Sequence, residues 1–395
     1  MFIKLINRFL KYCKGNSLFI FIYILYICIA IVLFLYSFFQ VDLNLTLINH
    51  PLFLELQKPL IEFGYYQRDN SVMVYIGVLL LLFSFYGITL FSIFKKKITS
   101  RQAVVLIITL SVVLLFSYPA SLSHDIFNYM FDAKIVTEYG LNPYTHKALD
   151  FPLDPWLRFM HWTYRTYPYG PMWLVLTIPL SYIGMNKFII ILFLFKLLVT
   201  VSYLLSSYFI YKILSVLKNK NAILGMMFFA LNPLVIIESL VSSHNDTVMM
   251  LFAIFAVYLL ILKKKVFSIV LWLFSVGVKF TTISLLPIFV IGYRPFLTFI
   301  LSLLAFCVIS HKIGLQPWYF LWVMPFAALA YKHISVRIIM FIMPIAFLLR
   351  YVPFIETGSW YPSAIPFQYW ITVGGIIVSV LLYVLLTVFY KINKS

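Results

Sequence analysis

Carboxylates are scarce in this chain. Asp and Glu together number 12 of 395 residues, and all charged residues make up only 11%. A soluble domain carries about a quarter charged residues, so a water-facing surface of this size cannot be assembled here. Cysteine is scarcer still. Cys13, Cys28 and Cys307 stand at no redox or metal-ligand spacing, and two fall inside apolar runs, which leaves them as packing residues. Also missing are a P-loop, a glycine-rich dinucleotide fingerprint and a serine nucleophile elbow. With no internal repeat, low-complexity tract or linker, residues 1–395 read as a single domain.

What is abundant is apolar: 63% of the residues are hydrophobic. Lipid is the natural solvent for such a surface, and the fold class expected is an all-α polytopic membrane protein. The net charge of +18 resembles a nucleic-acid signal, but the basic residues sit in short clusters between apolar runs, as at Lys95–Lys97 and Lys263–Lys265. That is the pattern of cytoplasmic membrane loops, and no nucleic acid is expected as a partner.

A helix needs about 20 apolar residues to cross the hydrocarbon core. Clear spans are Ser17–Phe39, Val72–Phe94, Ala103–Tyr118, Lys187–Tyr211, Ala222–Ile237, Thr247–Leu262 and Trp370–Tyr390. The first is too long for a signal-peptide core and lacks a cleavage site, so it reads as retained. Polar breaks at Lys279, Arg294, His311–Gln316 and Lys332–Arg337 divide Val266–Val352 into five more, giving about 12 transmembrane helices. Pro171–Met185 breaks the parity and is treated as re-entrant or interfacial. Lys4, Arg8, Lys11 and Lys14 place the N-terminus in the cytoplasm. Lys212, Lys218, Lys220, Lys391 and Lys394 then fall on the same side, so both termini are cytoplasmic. All twelve acids and six of seven histidines land outside, with His333 the exception. Acids carry little topological weight, so their gathering on one side marks where chemistry is expected.

Two outer loops are long. In Gln40–Ser71, Pro51–Tyr66 reads as a helix lying on the membrane surface. In the loop at about 118–170, Ile126–Tyr139 reads as a helix with Ser123 or Asp125 as cap and Gly140 as stop. Asp125, Tyr129 and Asp132 share one face of it. Further on, Trp156, Phe159, Met160 and Tyr164 form an apolar stripe opposite Arg158, His161 and Arg165, the pattern of an interfacial amphipathic helix.

Three segments could carry chemistry. Ser123–Tyr129 holds Asp125 at a membrane boundary, where partial desolvation strengthens a carboxylate as a general base for a hydroxyl; a plain helix cap is the alternative. Glu238–Asp246 joins two spans. His244, Asn245 and Asp246 could orient a sugar, bind a metal or cap the next helix, and Glu238 at the end of an apolar span is a costly residue of the kind kept for function. Lys279, between two apolar runs, could meet a phosphate or snorkel to headgroups. Lys196 lies inside a span and needs a partner or a path to the surface; the sequence assigns it neither. Tyr167–Trp173 and Gln316–Tyr319 read as aromatic-belt turns.

Taken in order, His124-Asp125-Ile126-Phe127-Asn128-Tyr129, Gly140-Leu141-Asn142-Pro143-Tyr144, Tyr169-Gly170-Pro171, Asn232-Pro233-Leu234, Glu238, His244-Asn245-Asp246, Lys279 with Leu286-Pro287, and Trp318-Tyr319 resemble the C-type (GT-C) superfamily of membrane glycosyltransferases. The similarity runs from about Leu115 to Pro325 and is strongest to bacterial mannosyltransferases that use polyprenyl-phosphate mannose. The resemblance implies a GT-C-like fold and an inverting transfer of a hexose, mannose by this likeness, from a polyprenyl-phosphate donor. The acceptor would be an envelope glycan or glycolipid at the outer face of the cell membrane. Asp125 matches the family's first-loop acid and takes the base role. His124, Tyr129, Asp132, Asn142, Tyr144, Tyr169, Glu238, His244, Asn245 and Asp246 are substrate-binding candidates, with Lys279, Arg158 or Arg165 for the leaving phosphate. Many relatives carry two acids side by side or one residue apart. Here His124 precedes Asp125 and the next acid is Asp132, which leaves a divalent metal open. A lipid-linked glycan flippase or other multi-span transporter is the competing class. Transporters favour midplane polar residues and repeated halves, whereas these acids cluster at one surface. A non-catalytic scaffold is the third.

Overall fold

The fold is described by a computed structural model covering residues 17–43, 45–359 and 364–392. Lys4, Arg8, Lys11, Lys14, Cys13 and Lys394 lie outside the described residues, as does the side chain of Lys391. Among the described residues the chain is helical throughout, with one isolated bridge, Lys147 to Thr166, and no strand.

The first helix, α1 (Ser17–Ser37), packs on α3 (Arg68–Phe94) and α4 (Ser100–Leu115), with α2 (Pro51–Tyr66) folded back against the turn at its end. Proline at the first position of α2 costs no hydrogen bond. A capping box, Thr99 with Gln102, starts α4. The long loop carries α5 (Asp125–Thr137), and α6 (Pro171–Ile183) returns to the bundle. Next come α7 (Phe188–Val216) and α8 (Ala222–Ala230).

After α8 the chain bends by 51° into α9 (Pro233–Val241). The Asn232-Pro233 pair explains the break. Proline cannot donate, and Asn232 turns its Oδ1 to cap Leu234 N at 3.1 Å while its Nδ2 donates to Met340 O at 2.9 Å. From Ile236 onward α9 is π-helical, a form found at functional sites. Then follow α10 (Asp246–Ile261), α11 (Lys265–Val278), α12 (Phe280–Ile291), α13 (Pro295–Ile313), α14 (Pro317–Leu329), α15 (Ile334–Leu349), α16 (Val352–Thr357) and α17 (Ala364–Ile392). The two pairs in most extensive contact are α10 with α11 and α15 with α17.

Six described helices are long and apolar enough to cross a membrane, or seven with the bent pair counted as one span. The expectation of about 12 spans is therefore met only in part. Six further apolar helices are short, and α10, with 16 residues, is about 24 Å long at 1.5 Å per residue. Large apolar side chains such as Leu80, Val266 and Val290 face outward, as expected of lipid-facing helices. The interfacial helix expected across Trp156–Arg165 is absent. Pro155–Phe159 makes a 3-10 turn that ends at Met160, so Arg158, His161 and Arg165 form no common stripe. Asp154 begins this turn by accepting Trp156 N at 2.8 Å, and it is held by Lys134 at 2.6 Å.

Candidate active site

The loop helix α5 brings the first acid inward. Asp125 is its first residue, preceded by His124, and Ser123 Oγ accepts from Asp125 N at 3.4 Å. The expected cap therefore does not form in the usual way. Instead Asp125 places a carboxylate beside the positive end of the helix dipole. Asp125 is 6% exposed. Its Oδ1 accepts from Trp162 Nε1 at 3.0 Å, and Trp162 is itself held by Asn128, whose Nδ2 donates to Trp162 O at 3.0 Å.

The second wall comes from α9 and the turn before α10. Glu238, His244, Asn245 and Asp246 are all fully buried. His244 lies between two acids: Nε2 is 3.2 Å from Glu238 Oε2, and Nδ1 is 3.8 Å from Asp125 Oδ2. Trp318 stacks on the imidazole at 4.5 Å between centroids. Tyr351 donates to Glu238 Oε1 at 2.9 Å. The turn is strained, since Ser243 holds φ 58 without being glycine, a feature that concentrates at functional sites. Asp246 does not cap α10. Its Oδ1 accepts from Lys279 Nζ at 2.8 Å and from Trp322 Nε1.

Lys279 closes the site. It sits where α11 ends and α12 begins, with an extended backbone that breaks the helix. Three aromatic rings surround its ammonium: Tyr319 at 5.2 Å, Trp322 at 5.5 Å and Tyr169 at 5.7 Å. Tyr129 completes the inner face, donating to Asn245 Oδ1 at 3.4 Å and meeting Tyr169 edge-on. The close approach behind Tyr169 depends on Gly170, whose missing Cβ would stand 2.2 Å from Gly277 O.

Asp132 and Arg165 form the rim. Burial pushes the Asp132 carboxyl up to about 8, with Arg165 opposing and Asp125 adding to the rise. Burial works against Arg165, but Tyr169, Asp125, Tyr129 and Asp132 around it hold its pKa above the ordinary value. His161 stacks on His124 at 3.7 Å, and burial together with that neighbour lowers it to about 4.

Five polar atoms at this centre are buried without a hydrogen-bond partner: Glu238 Oε2, both His244 nitrogens, Asn245 Nδ2 and Asp246 Oδ2. Native interiors leave few such groups, and of these Glu238 Oε2 and His244 Nε2 stand 3.2 Å apart, at ion-pair distance. Among the described residues no group of three His, Cys, Asp or Glu side chains is arranged to hold a metal ion.

The structure thus gathers Asp125, Tyr129, Asp132, Arg165, Tyr169, Glu238, His244, Asn245, Asp246 and Lys279. It does not bring Arg158 in; that residue is exposed on the 3-10 turn. Asn142 and Tyr144 are exposed in a turn, where Tyr144 serves only to bond Tyr169 O at 3.1 Å. His124 turns from this centre to the carboxylate of Asp42, at 3.1 Å. Sequence reasoning missed Trp162, from the same long loop as Asp125, and Trp322 and Tyr351, which arrive from distant segments. Lys196 now has its partners. Its Nζ donates to Ser117 O at 2.6 Å, Ser117 Oγ at 2.8 Å and Val241 O at 3.3 Å, tying the end of α4 to the end of α9.

A family model described as alpha-(1->6)-mannopyranosyltransferase, N-terminal domain, matches residues 46–293. The alpha-(1->6)-mannopyranosyltransferase A of Corynebacterium glutamicum is 24% identical over 250 residues, which cover 61% of this chain and 50% of that relative. The chain spans about half the length of this curated relative. No solved structure matches. The matched range holds Asp125, Glu238, His244, Asp246 and Lys279 but not Asp42, Trp322 or Tyr351.

Proposed function

The chain belongs to the alpha-(1->6)-mannopyranosyltransferase family of GT-C mannosyltransferases, and on that premise we propose that it moves a mannosyl group from a polyprenyl-phosphate donor to an envelope glycan or glycolipid, with inversion. The observation that carries this reading is the buried centre of Asp125, Glu238, His244 and Asp246, with Lys279 beside it and unpartnered polar atoms within it.

In the single displacement, the acceptor hydroxyl attacks the anomeric carbon as Asp125 Oδ2 takes its proton. The bond from that carbon to the phosphate oxygen breaks, and the phosphate leaves with the electron pair. Asp125 Oδ2 suits the base role because Trp162 holds only Oδ1. Lys279 spends one N–H on Asp246 and keeps two for the phosphate, and Arg165 offers a second cation at the rim. Glu238 and Asp246 would favour positive charge developing on the sugar, as carboxylates do in glycosidases. Asn245 Nδ2 and His244 are left to bind sugar hydroxyls.

Support for a lipid donor comes from an apolar cavity of about 480 Å³ lined by Phe34, Phe38, Phe53, Phe116 and Phe193. Tyr118 stands at its polar edge and donates to Asp42 at 2.9 Å, beside His124. A prenyl chain lying there would run beside the 115–119 segment, which leads into the helix of Asp125. A sugar donor outside the cell must arrive on a lipid, so the reading places the site extracytoplasmic and both termini in the cytoplasm. The short apolar helices then complete a single multi-pass GT-C-like domain.

The test is transfer of radiolabelled mannose from polyprenyl-phosphate mannose in membranes, comparing wild type with Asp125→Asn. Transfer by the wild type and loss of at least a hundredfold in a folded variant is expected. A wild type that neither binds nor uses the donor sinks the proposal, and movement of the lipid-linked sugar across vesicles without transfer would make the protein a flippase.

A further inference from the structure

The other end of the bundle carries a different kind of cavity. Helix α7 leaves the acid centre near Lys196 and runs to Val216, roughly 30 Å further on at 1.5 Å per residue. There the chain turns through Leu217–Asn221 into α8. A cavity of about 630 Å³ opens between this turn, the end of α3 and the turn after α14. Four cations line it: Lys218, Lys220, Lys332 and Arg337. No carboxylate does, and among the described residues none of the four has an ion-pair partner.

The cavity has a fixed frame. Tyr331 OH bonds Asn219 Oδ1 at 3.0 Å and Asn221 O at 3.1 Å, joining the two turns that carry the three lysines. Asn221 begins α8 without a side-chain cap, which puts the positive end of that helix at the same turn. Four like charges around one hollow repel each other, and an anion placed among them relieves that repulsion. The wall on the α3 side is apolar. Phe91 and Phe94 are 60% and 57% exposed on a helix apolar enough to span. A soluble anion has no use for that wall, whereas acyl chains do.

We propose that this cavity binds the phosphate headgroup of an anionic membrane lipid, with its acyl chains laid along Phe91 and Phe94. The site stands apart from the acid centre and does not depend on which reaction that centre performs.

The experiment is thermal unfolding of the full chain in neutral detergent, titrated with phosphatidylglycerol, phosphatidylcholine or inorganic phosphate. Phosphatidylglycerol should raise Tm and the other two should not. Combining Lys218→Gln, Lys332→Gln and Arg337→Gln should weaken the phosphatidylglycerol response by on the order of tenfold or more. The set Lys263→Gln, Lys264→Gln and Lys265→Gln, equal in charge, exposed and outside the cavity, should leave it unchanged. Equal loss from both sets would mean diffuse attraction of basic loops and overturn the site. An equal response to inorganic phosphate would overturn the lipid assignment. If the first set does not fold, Lys332→Glu alone, an exposed position, should give the same direction of loss, and an unchanged response there also overturns the proposal.

Discussion

Replacing Lys279 by methionine separates what the Lys279–Asp246 pair does for the fold from what it does for transfer. Asp246 is fully buried, its Oδ2 has no partner, and its Oδ1 is held by Lys279 and Trp322. Lys279→Met leaves that carboxylate with the indole alone. Breaking a buried pair costs about 3–5 kcal/mol. The Lys279 side chain retains 19% exposure, which sets the expected loss near the lower end. Adding Asp246→Asn removes the stranded charge and should recover most of the loss, giving a coupling of about 2 kcal/mol in the double-mutant cycle. Transfer should behave otherwise. Loss of a cation that meets the leaving phosphate costs roughly a hundredfold or more, and the double variant, which also lacks the Asp246 carboxylate, should be no faster. Thermal unfolding in detergent and mannosyl transfer, measured on all four proteins, read the two effects separately. An unchanged Tm in Lys279→Met would refute the buried-pair reasoning, and transfer regained in the double variant would refute a phosphate-binding role.

Three further outcomes follow from single contacts. Asp132, raised from 3.8 to about 8 chiefly by burial, holds a proton when folded that the unfolded chain has released. Its stabilising contribution is full below about pH 4 and is lost as pH climbs toward 8; Asp132→Asn should flatten that decline in a Tm series across this range. Gly170→Ala puts a Cβ 2.2 Å from Gly277 O, so α6 and α11 must part, lowering stability by about 1–3 kcal/mol with a raised KM for donor as Tyr169 shifts. Lys196→Met strands Ser117 O and Val241 O and should cost about 1–3 kcal/mol in Tm-derived stability.

How much of this could be read beforehand depends on where each contact originates. The i, i+4, i+7 spacing of Asp125, Tyr129 and Asp132 predicts a shared face, and α5 presents all three toward the centre or its rim. Pro51–Tyr66 forms as its composition implies. The stripe in Trp156–Arg165 fails because Pro155 and Asp154 start a tight 3-10 turn whose end at Met160 resets the phase. Counting spans by length is met in part: the break at Lys279 is legible as a charge between apolar runs, whereas the bend at Asn232-Pro233 falls inside a run read as one continuous span. Trp322 and Tyr351 were illegible because each meets the site across a long sequence separation, as when Tyr351 reaches back 113 positions to Glu238.

The same unpartnered atoms that locate the site also predict a conflict between stability and activity. A half-satisfied buried polar network is worse for the fold than a neutral one. Glu238 contributes a buried charge with one oxygen on Tyr351 and the other facing His244 without a hydrogen bond. Glu238→Gln keeps the shape, retains an acceptor for Tyr351 and removes the charge. If the carboxylate were there to hold the bundle together, this change would lower Tm. If it is there for the sugar, the variant should melt about 1–2 kcal/mol higher, within the range of relieved buried charge, and transfer should fall by at least tenfold with donor binding little changed. A loss of both Tm and transfer would assign Glu238 to the fold and leave Asp125 and Asp246 as the acids of the reaction.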